Sequence, residues 1–230
     1  PAPTQTAAWG DYDNDGWIDL FIGTESIEGT TYPCQLFHNN GDGTFTDVAA
    51  VAGAALEGFI KAVAWGDYDN DGRLDLYVAH LPADEPNRLL HNEGPGDDGT
   101  WSFRDVAADA GVEGPPATLP AWFFDYDNDG WLDIFAAGFR GTLADLVKEY
   151  RGQPHEGQLP RLYRNNGDGT FEDVTRVARV DKIMWAMGSN FGDLDNDGFL
   201  DFLIGTGGPD YRALMPNRMF RNAGGELFQE

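Results

Sequence analysis

Asp11-Tyr12-Asp13-Asn14-Asp15-Gly16-Trp17-Ile18-Asp19 sets aspartates at positions 1, 3, 5 and 9 of a nine-residue stretch. The same pattern, D-x-D-x-D-G-x-x-D, returns as Asp67, Asp69, Asp71 and Asp75, as Asp125, Asp127, Asp129 and Asp133, and as Asp193, Asp195, Asp197 and Asp201. Four carboxylates in so small a loop repel one another unless a hard cation neutralises them. Calcium suits the task, accepting about six to eight oxygen ligands at about 2.3–2.6 Å in a forgiving geometry. Glycine at position 6 allows a sharp turn through positive φ, and asparagine at position 4 tolerates left-handed backbone. Position 7 is Trp17, Arg73, Trp131 or Phe199, a chemical variety expected of a residue that offers only its backbone carbonyl. Asp-Asn-Asp-Gly is also a good turn former. A turn, however, needs one or two of these aspartates rather than all four in every copy. The expectation is about four Ca²⁺ ions, one per repeat.

The motif recurs about every 60 residues, a period that signals a solenoid, a propeller or an array. Each acidic stretch is preceded by a short apolar run ending in Trp9, Trp65, Phe123 or Phe191, and these aromatics are expected in the core. A second apolar run follows directly: Leu20-Phe21-Ile22, Leu76-Tyr77-Val78, Ile134-Phe135-Ala136 and Phe202-Leu203-Ile204. Short continuous apolar runs suit strands buried on both faces. A hairpin pattern then begins at Leu36, Leu89, Leu162 or Met219, and in the first unit it turns at Asn39-Asn40-Gly41-Asp42-Gly43. Four short strands per unit in up-and-down order describe one propeller blade. The fold class is therefore all-β, a β-propeller of four-stranded antiparallel blades, with blades near 1–56, 57–114, 115–180 and 181–230.

Two departures stand out. The third unit carries an insertion from Phe139 to Leu159, in which Thr142 and Asp145 resemble a capping box and Leu143, Leu146, Val147 and Tyr150 fall at helical spacing. A short surface helix is predicted there. The fourth unit has a glycine-rich connection, Gly205-Thr206-Gly207-Gly208-Pro209. Such connections collect on one face of a repeat fold and often carry binding, although plain loop decoration is the commoner outcome.

With 230 residues, 41% of them hydrophobic, the chain is long enough for a substantial core. Its formal net charge of -24 stays strongly negative even with four divalent cations bound, which argues against nucleic acid or anionic membrane partners. The single cysteine, Cys34, excludes an intramolecular disulfide framework and any cysteine-based zinc site. No apolar run approaches about 20 residues, so no membrane insertion is expected. The Pro-Ala-Pro-Thr start suggests a mature or trimmed product, and the abrupt Glu-Leu-Phe-Gln-Glu ending suggests a piece of a longer chain.

Read together, Ala64-Trp65-Gly66-Asp67 through Val78 and the segment Asn87 to Asn92 resemble the FG-GAP/VCBS repeats of integrin α-type propellers. The hairpin ending Phe103-Arg104-Asp105-Val106-Ala107-Ala108-Asp109-Ala110-Gly111 resembles the ASPIC/UnbV and cartilage-acidic-protein branch. The resemblance implies one calcium per acidic loop, held by Asp11, Asp13, Asp15 and Asp19 in the first and by the corresponding aspartates in the others. It also implies a propeller of about seven blades, of which four are visible, so further blades or domains of a full-length chain are expected. An EF-hand fits less well, because its position-12 glutamate is replaced here by Ile22, Val78, Ala136 or Ile204.

No nucleophile elbow, phosphate loop or zinc-protease helix is present, and the serines are only Ser26, Ser102 and Ser189. His38 and His91 occupy the repeat position filled by Arg164 and Arg221 later on, which reads as polar packing. His80 and His155 have no motif around them. The expected role is a non-enzymatic extracellular, periplasmic or cell-surface scaffold binding a protein or glycan ligand. The alternatives are the propeller domain of a secreted, lyase-like polysaccharide-active enzyme, or a carbohydrate-binding lectin. Trp17 and Trp131 are candidates for stacking on a sugar or peptide.

Overall fold

Among the described residues, alternation of apolar runs with Asp/Gly turns resolves into sixteen strands and two short helices. A computed structural model of the chain describes residues 3–27, 29–81, 84–207 and 215–230. The first blade consists of β1 (Thr4–Gly10), β2 (Asp19–Thr24), β3 (Gln35–Asn39) and β4 (Phe45–Asp47). The second consists of β5 (Ile60–Gly66), β6 (Asp75–His80), β7 (Arg88–Pro95) and β8 (Trp101–Asp105), followed by α1 (Ala107–Ala110). The third holds β9 (Thr118–Phe124), β10 (Asp133–Gly138), α2 (Leu143–Tyr150), β11 (Arg161–Asn165) and β12 (Phe171–Asp173). The fourth holds β13 (Ala186–Gly192), β14 (Asp201–Thr206), β15 (Arg218–Asn222) and β16 (Phe228–Gln229).

Each blade is a four-stranded antiparallel sheet whose spatial order follows the chain. Up-and-down order puts the acidic loop and the second hairpin of a blade at one end and the longer connection between its middle strands at the other. The first strand pairs with the second so that the residue before the acidic loop faces its last aspartate, as in Gly10 with Asp19 and Gly66 with Asp75.

The core lies between blades. Phe21, Leu36 and Cys34 of the first blade meet Ile60, Leu76 and Leu90 of the second. Tyr77 and Leu89 meet Phe123 and Ile134, and Phe135 and Leu162 meet Phe202 and Phe220. β6 and β10 are buried along their whole length, as both-face burial requires. β2 and β14 alternate with half-open or exposed positions, because among the described residues each belongs to a blade with a neighbour on one side only. Burying one such phenylalanine stabilises by several kcal/mol, and Phe135→Ala would cost about 3–5 kcal/mol through the cavity it leaves.

Two of the four aromatics expected in the core are not there. Trp9 is 62% exposed and Phe191 is 42% exposed. The aromatic packs on the preceding blade: Trp65 covers Gly10 and Phe123 covers Gly66, each so closely that a Cβ would meet the ring below 3 Å. Trp9 has no preceding blade among the described residues. Phe191 meets Phe124 where the other blades offer glycine, and its ring is held 5.8 Å from that ring instead of sinking into a groove.

The insertion forms α2 as its spacing predicts. Thr142 Oγ1 accepts from Asp145 N–H at 3.2 Å, and Asp145 Oδ2 accepts from Thr142 N–H at 2.9 Å. Leu146 packs with Ile183 and Trp185, while Leu143, Val147 and Tyr150 stay exposed. From Gly208 onward, the glycine-rich connection of the fourth unit lies outside the described residues.

Candidate metal centres

Every acidic loop is shaped by its own backbone. Asn14, Asn70, Asn128 and Asn196 have φ of 56–59°, and the glycines two residues later have φ of 86–92°, the left-handed values expected at these positions. The position-1 carboxylate spans the turn: Asp11 Oδ1 accepts from Asp15 N–H at 3.1 Å and Oδ2 from Gly16 N–H at 3.0 Å. Asp67, Asp125 and Asp193 repeat this arrangement. The position-5 carboxylates Asp15, Asp71, Asp129 and Asp197 each accept from the N–H of position 7.

Position 9 is the buried pin. Asp19, Asp75, Asp133 and Asp201 are at most 2% exposed. One oxygen of each accepts from the N–H of loop position 2, and the other from the N–H of the first hairpin asparagine. The pinning role of those asparagines, Asn39, Asn92, Asn165 and Asn222, escaped the sequence reading. Their presence in all four repeats was the available signal. Asn92, Asn165 and Asn222 also donate their side-chain amides to the carbonyls of Tyr12, Tyr68 and Tyr126 in the preceding blade, at 2.7–2.9 Å. A second link joins the loops themselves. Asn14, Asn70 and Asn128 donate to the carbonyls of Gly72, Gly130 and Gly198 in the following blade, at 2.8–3.0 Å.

In the first three loops, positions 1, 3 and 9 converge. Asp11, Asp13 and Asp19 bring one oxygen each within 4.8 Å of one another, as do Asp67, Asp69 and Asp75, and Asp125, Asp127 and Asp133. Asp13 Oδ1 and Asp127 Oδ1 are buried with no hydrogen-bond partner. Burial pushes Asp19 up to about 6, Asp75 to about 7 and Asp133 to about 8, and it raises Asp13 and Asp127 as well. Orphaned oxygens in a crowd of desolvated carboxylates fit a bound hard cation, which would supply the missing partner and the missing positive charge.

The four loops are not equivalent. His38 Nδ1 lies 3.1 Å from Asp13 Oδ2 without hydrogen-bond alignment, and His91 Nε2 lies 2.9 Å from Asp69 Oδ2. Both imidazoles thus reach the acidic loops, where the sequence suggested mere packing. Arg164 turns away to Glu172 at 2.6 Å. Arg221 folds over the fourth loop, bonding Asp195 at 2.5 Å and Asp197 at 3.1 Å.

Position 7 contributes more than a carbonyl. Trp17, Arg73, Trp131 and Phe199 lie over the hairpin glycines Gly41, Gly94, Gly167 and Gly225 of their own blades. Arg73 also pairs with Asp71 and donates to the Asn92 carbonyl. Trp17 remains 52% exposed and Trp131 is half-buried. His80 is buried and pushed down to about 4 by desolvation, which makes it a neutral core imidazole. Cys34 is buried beside Thr24 Oγ1, its thiol pushed up by burial. At the opposite end, the insertion walls a cleft of about 850 Å³ lined by Arg140, Asp145, His155, Glu156 and Arg161 among others. No helix among the described residues is long and apolar enough to cross a membrane.

Residues 11–78 and 125–204 match the model of the FG-GAP-like repeat, and with the four-blade arrangement this makes the chain a member of the FG-GAP-like repeat family of β-propellers. Its relatives include Cartilage acidic protein 1 of Homo sapiens, 30% identical over 177 residues, covering 76% of this chain and 24% of that protein. The Xenopus tropicalis protein of the same name is 28% identical over 197 residues, covering 84% of this chain and 27% of that one. The chain therefore spans about a quarter of the length of the curated relatives it matches. Among solved structures, an Agrocybe aegerita lectin described as recognising non-reducing terminal N-acetylglucosamine aligns with a TM-score of 0.48 at 20% identity. The alignment covers 98% of this chain and 51% of the lectin, a likeness too slight to transfer a ligand.

Proposed function

We propose that the chain is a calcium-stabilised propeller scaffold that works outside the cell or at its surface and presents a face to a protein or glycan ligand. The observation that carries the reading is the convergence of positions 1, 3 and 9 around buried, unpartnered oxygens at Asp13 and Asp127. Positions 1, 3, 5 and 9 would hold the ion through carboxylate oxygens, with the position-7 carbonyl beside them. Bound calcium supplies charge compensation and no chemistry. The protein's part is to hold the loop in shape through the backbone donors of positions 5, 6 and 7.

On this reading the ion is structural. With a Kd of about 10⁻⁴ M, about 1 mM Ca²⁺ stabilises by roughly 1.4 kcal/mol per site. Four such sites give about 6 kcal/mol, comparable to the net stability of an ordinary domain. Sites of that strength would fill at extracellular rather than cytosolic calcium. The name Cartilage acidic protein 1 agrees on acidity, here a net charge of -24. For the ligand, we assign the cleft beside α2, the one long middle-strand connection described in full.

Differential scanning calorimetry in EDTA, then with Ca²⁺ or Mg²⁺ restored, tests the reading. Chelation is expected to lower Tm by roughly 10–20 °C, with Ca²⁺ restoring it well below the Mg²⁺ concentration needed. A melting curve indifferent to EDTA would sink it.

A further inference from the structure

The first two acidic loops differ from the last two in the residue that stands over them. His38 and His91 take the hairpin position that Arg164 and Arg221 fill in the later repeats. Each imidazole lies edge-on to the tyrosine at loop position 2. His38 meets Tyr12 with ring centroids 6.3 Å apart and planes at 76°, and His91 meets Tyr68 at 6.2 Å and 77°. Such a contact restricts the tilt of the ring. A nitrogen of His38 comes together with one oxygen each of Asp13 and Asp15, all within 4.8 Å of one another, and His91 does the same with Asp69 and Asp71.

Two observations set this apart from an ordinary acidic cluster. The Asp13 side chain is only 9% exposed, and its Oδ1 is buried with no hydrogen-bond partner. His38 Nδ1 is likewise buried without a partner, although Asp13 Oδ2 is 3.1 Å away and Asp19 Oδ1 3.4 Å. A nitrogen and an oxygen so close, yet unaligned, are placed as two ligands of one ion are, not as donor and acceptor. Ligands held about 2.0–2.2 Å from an ion lie about 3.0 Å apart at adjacent octahedral corners and about 3.4 Å apart at tetrahedral ones. In the second loop His91 Nε2 is 2.9 Å from Asp69 Oδ2, and Glu93 Oε1 stands 3.3 Å from Nδ1, where metal-bound imidazoles commonly carry a carboxylate. The first site also has an entrance. Asp13 and His38 line a hollow of about 350 Å³ that Gly99, Thr100 and Trp101 of the second blade close on the far side, so described residues build both of its walls.

Calcium takes oxygen ligands, whereas imidazole nitrogen suits zinc and its first-row neighbours. We infer that the first two loops are mixed nitrogen–oxygen sites for a first-row divalent cation of the zinc type, with His38 and His91 as the nitrogen ligands. The third and fourth loops, with arginine in that place, are left to calcium. The inference rests on the reading of the acidic loops as cation sites and assigns the ion at two of them. Calcium fills these two where no such competitor is present.

Calorimetric titration of Zn²⁺ into the chain, in buffer holding millimolar Ca²⁺, reads the outcome. Two Zn²⁺ ions are expected to displace calcium. His38→Gln and His91→Gln should each weaken one of them by at least about 10–100-fold, the loss that follows when even a residue supporting a metal ligand is removed. His38→Arg installs the residue that later repeats carry, so it keeps the fold and a positive charge while removing the nitrogen, and it should lose the first Zn²⁺ as the glutamine variant does. With Mn²⁺ as the probe, electron spin echo modulation should show a nitrogen coupling that the double variant His38→Gln/His91→Gln lacks. If Ca²⁺ stabilises the fold but Zn²⁺ fails to displace it, or Mn²⁺ binds with no nitrogen coupling, the inference is overturned and the calcium reading stands, the imidazoles being counter-charges in the manner of Arg221. A melting curve indifferent to every cation overturns both.

Discussion

The third and fourth acidic loops carry the same aspartates at the same spacing, and their carboxylates are compensated by different means. In the third, Arg164 is engaged by Glu172 and Asp127 Oδ1 is left buried without a partner. In the fourth, Arg221 lies across Asp195 and Asp197, and its guanidinium holds the Asp195 carboxyl below the usual range. A repeat motif fixes where the oxygens are. What neutralises them is decided by a single hairpin residue outside the motif. The fourth loop carries its own counter-charge, whereas on the proposed reading the third would take one from solution.

The largest expected effect tests what the two loops share. Asp133→Ala deserts the N–H groups of Tyr126 and Asn165, and Asp201→Ala deserts those of Leu194 and Asn222. Each abandoned donor costs about 1–3 kcal/mol. Both variants should therefore lose similar stability in EDTA, by urea titration. If Asp201→Ala proved nearly neutral, the pin would not be common to both loops. Next comes the cation itself. Asp127→Asn should remove about 1.4 kcal/mol of the stabilisation gained on adding calcium, and Asp195→Asn distinctly less, as read from paired melts. Equal losses would break the contrast. Arg221→Gln should then tighten calcium at the fourth loop about two- to fivefold in calorimetric titration, the size of an exposed ion pair.

The smallest effect is in pH. Asp133 is pushed up to about 8 and Asp75 to about 7 by burial, so without cation the folded protein holds protons that the unfolded chain releases above about 4. Stability in EDTA should fall as pH rises from about 4 toward about 8, and the relief of self-repulsion at low pH acts in the same direction. Bound calcium would take the proton's place and should flatten or reverse the slope, a change of a few degrees in Tm between about pH 5 and pH 8. Asp133→Asn should reduce the slope in EDTA.

Much of this was legible because the repeats report on one another. The acidic loops, their flanking strands, the hairpins at Leu36, Leu89, Leu162 and Met219, and helix α2 after Thr142 all follow from local pattern and turn chemistry. What the pattern hid lies in contacts between units about 60 residues apart. Trp9 and Trp65 look alike in sequence, and only the presence of a preceding blade buries one of them. Phe191 stays partly open because Phe124 stands where its equivalents are glycine, a difference plain in the letters but silent until the blades are stacked. Arg221 reaches its acidic loop while Arg164, of equal length, turns to Glu172; the residue facing each across the hairpin, Gln229 or Glu172, differs, and spacing alone does not encode this.

The amide thread running from Asn14 to Gly72, Asn70 to Gly130 and Asn128 to Gly198 ties each turn to its successor. Filling one turn stiffens the carbonyl that its neighbour already grips, so occupancy should spread along the row in the manner of a one-dimensional lattice. Calcium uptake would then be steeper than independent binding permits, and Asn70→Ala, which cuts the thread in the middle, should bring the Hill coefficient back toward one.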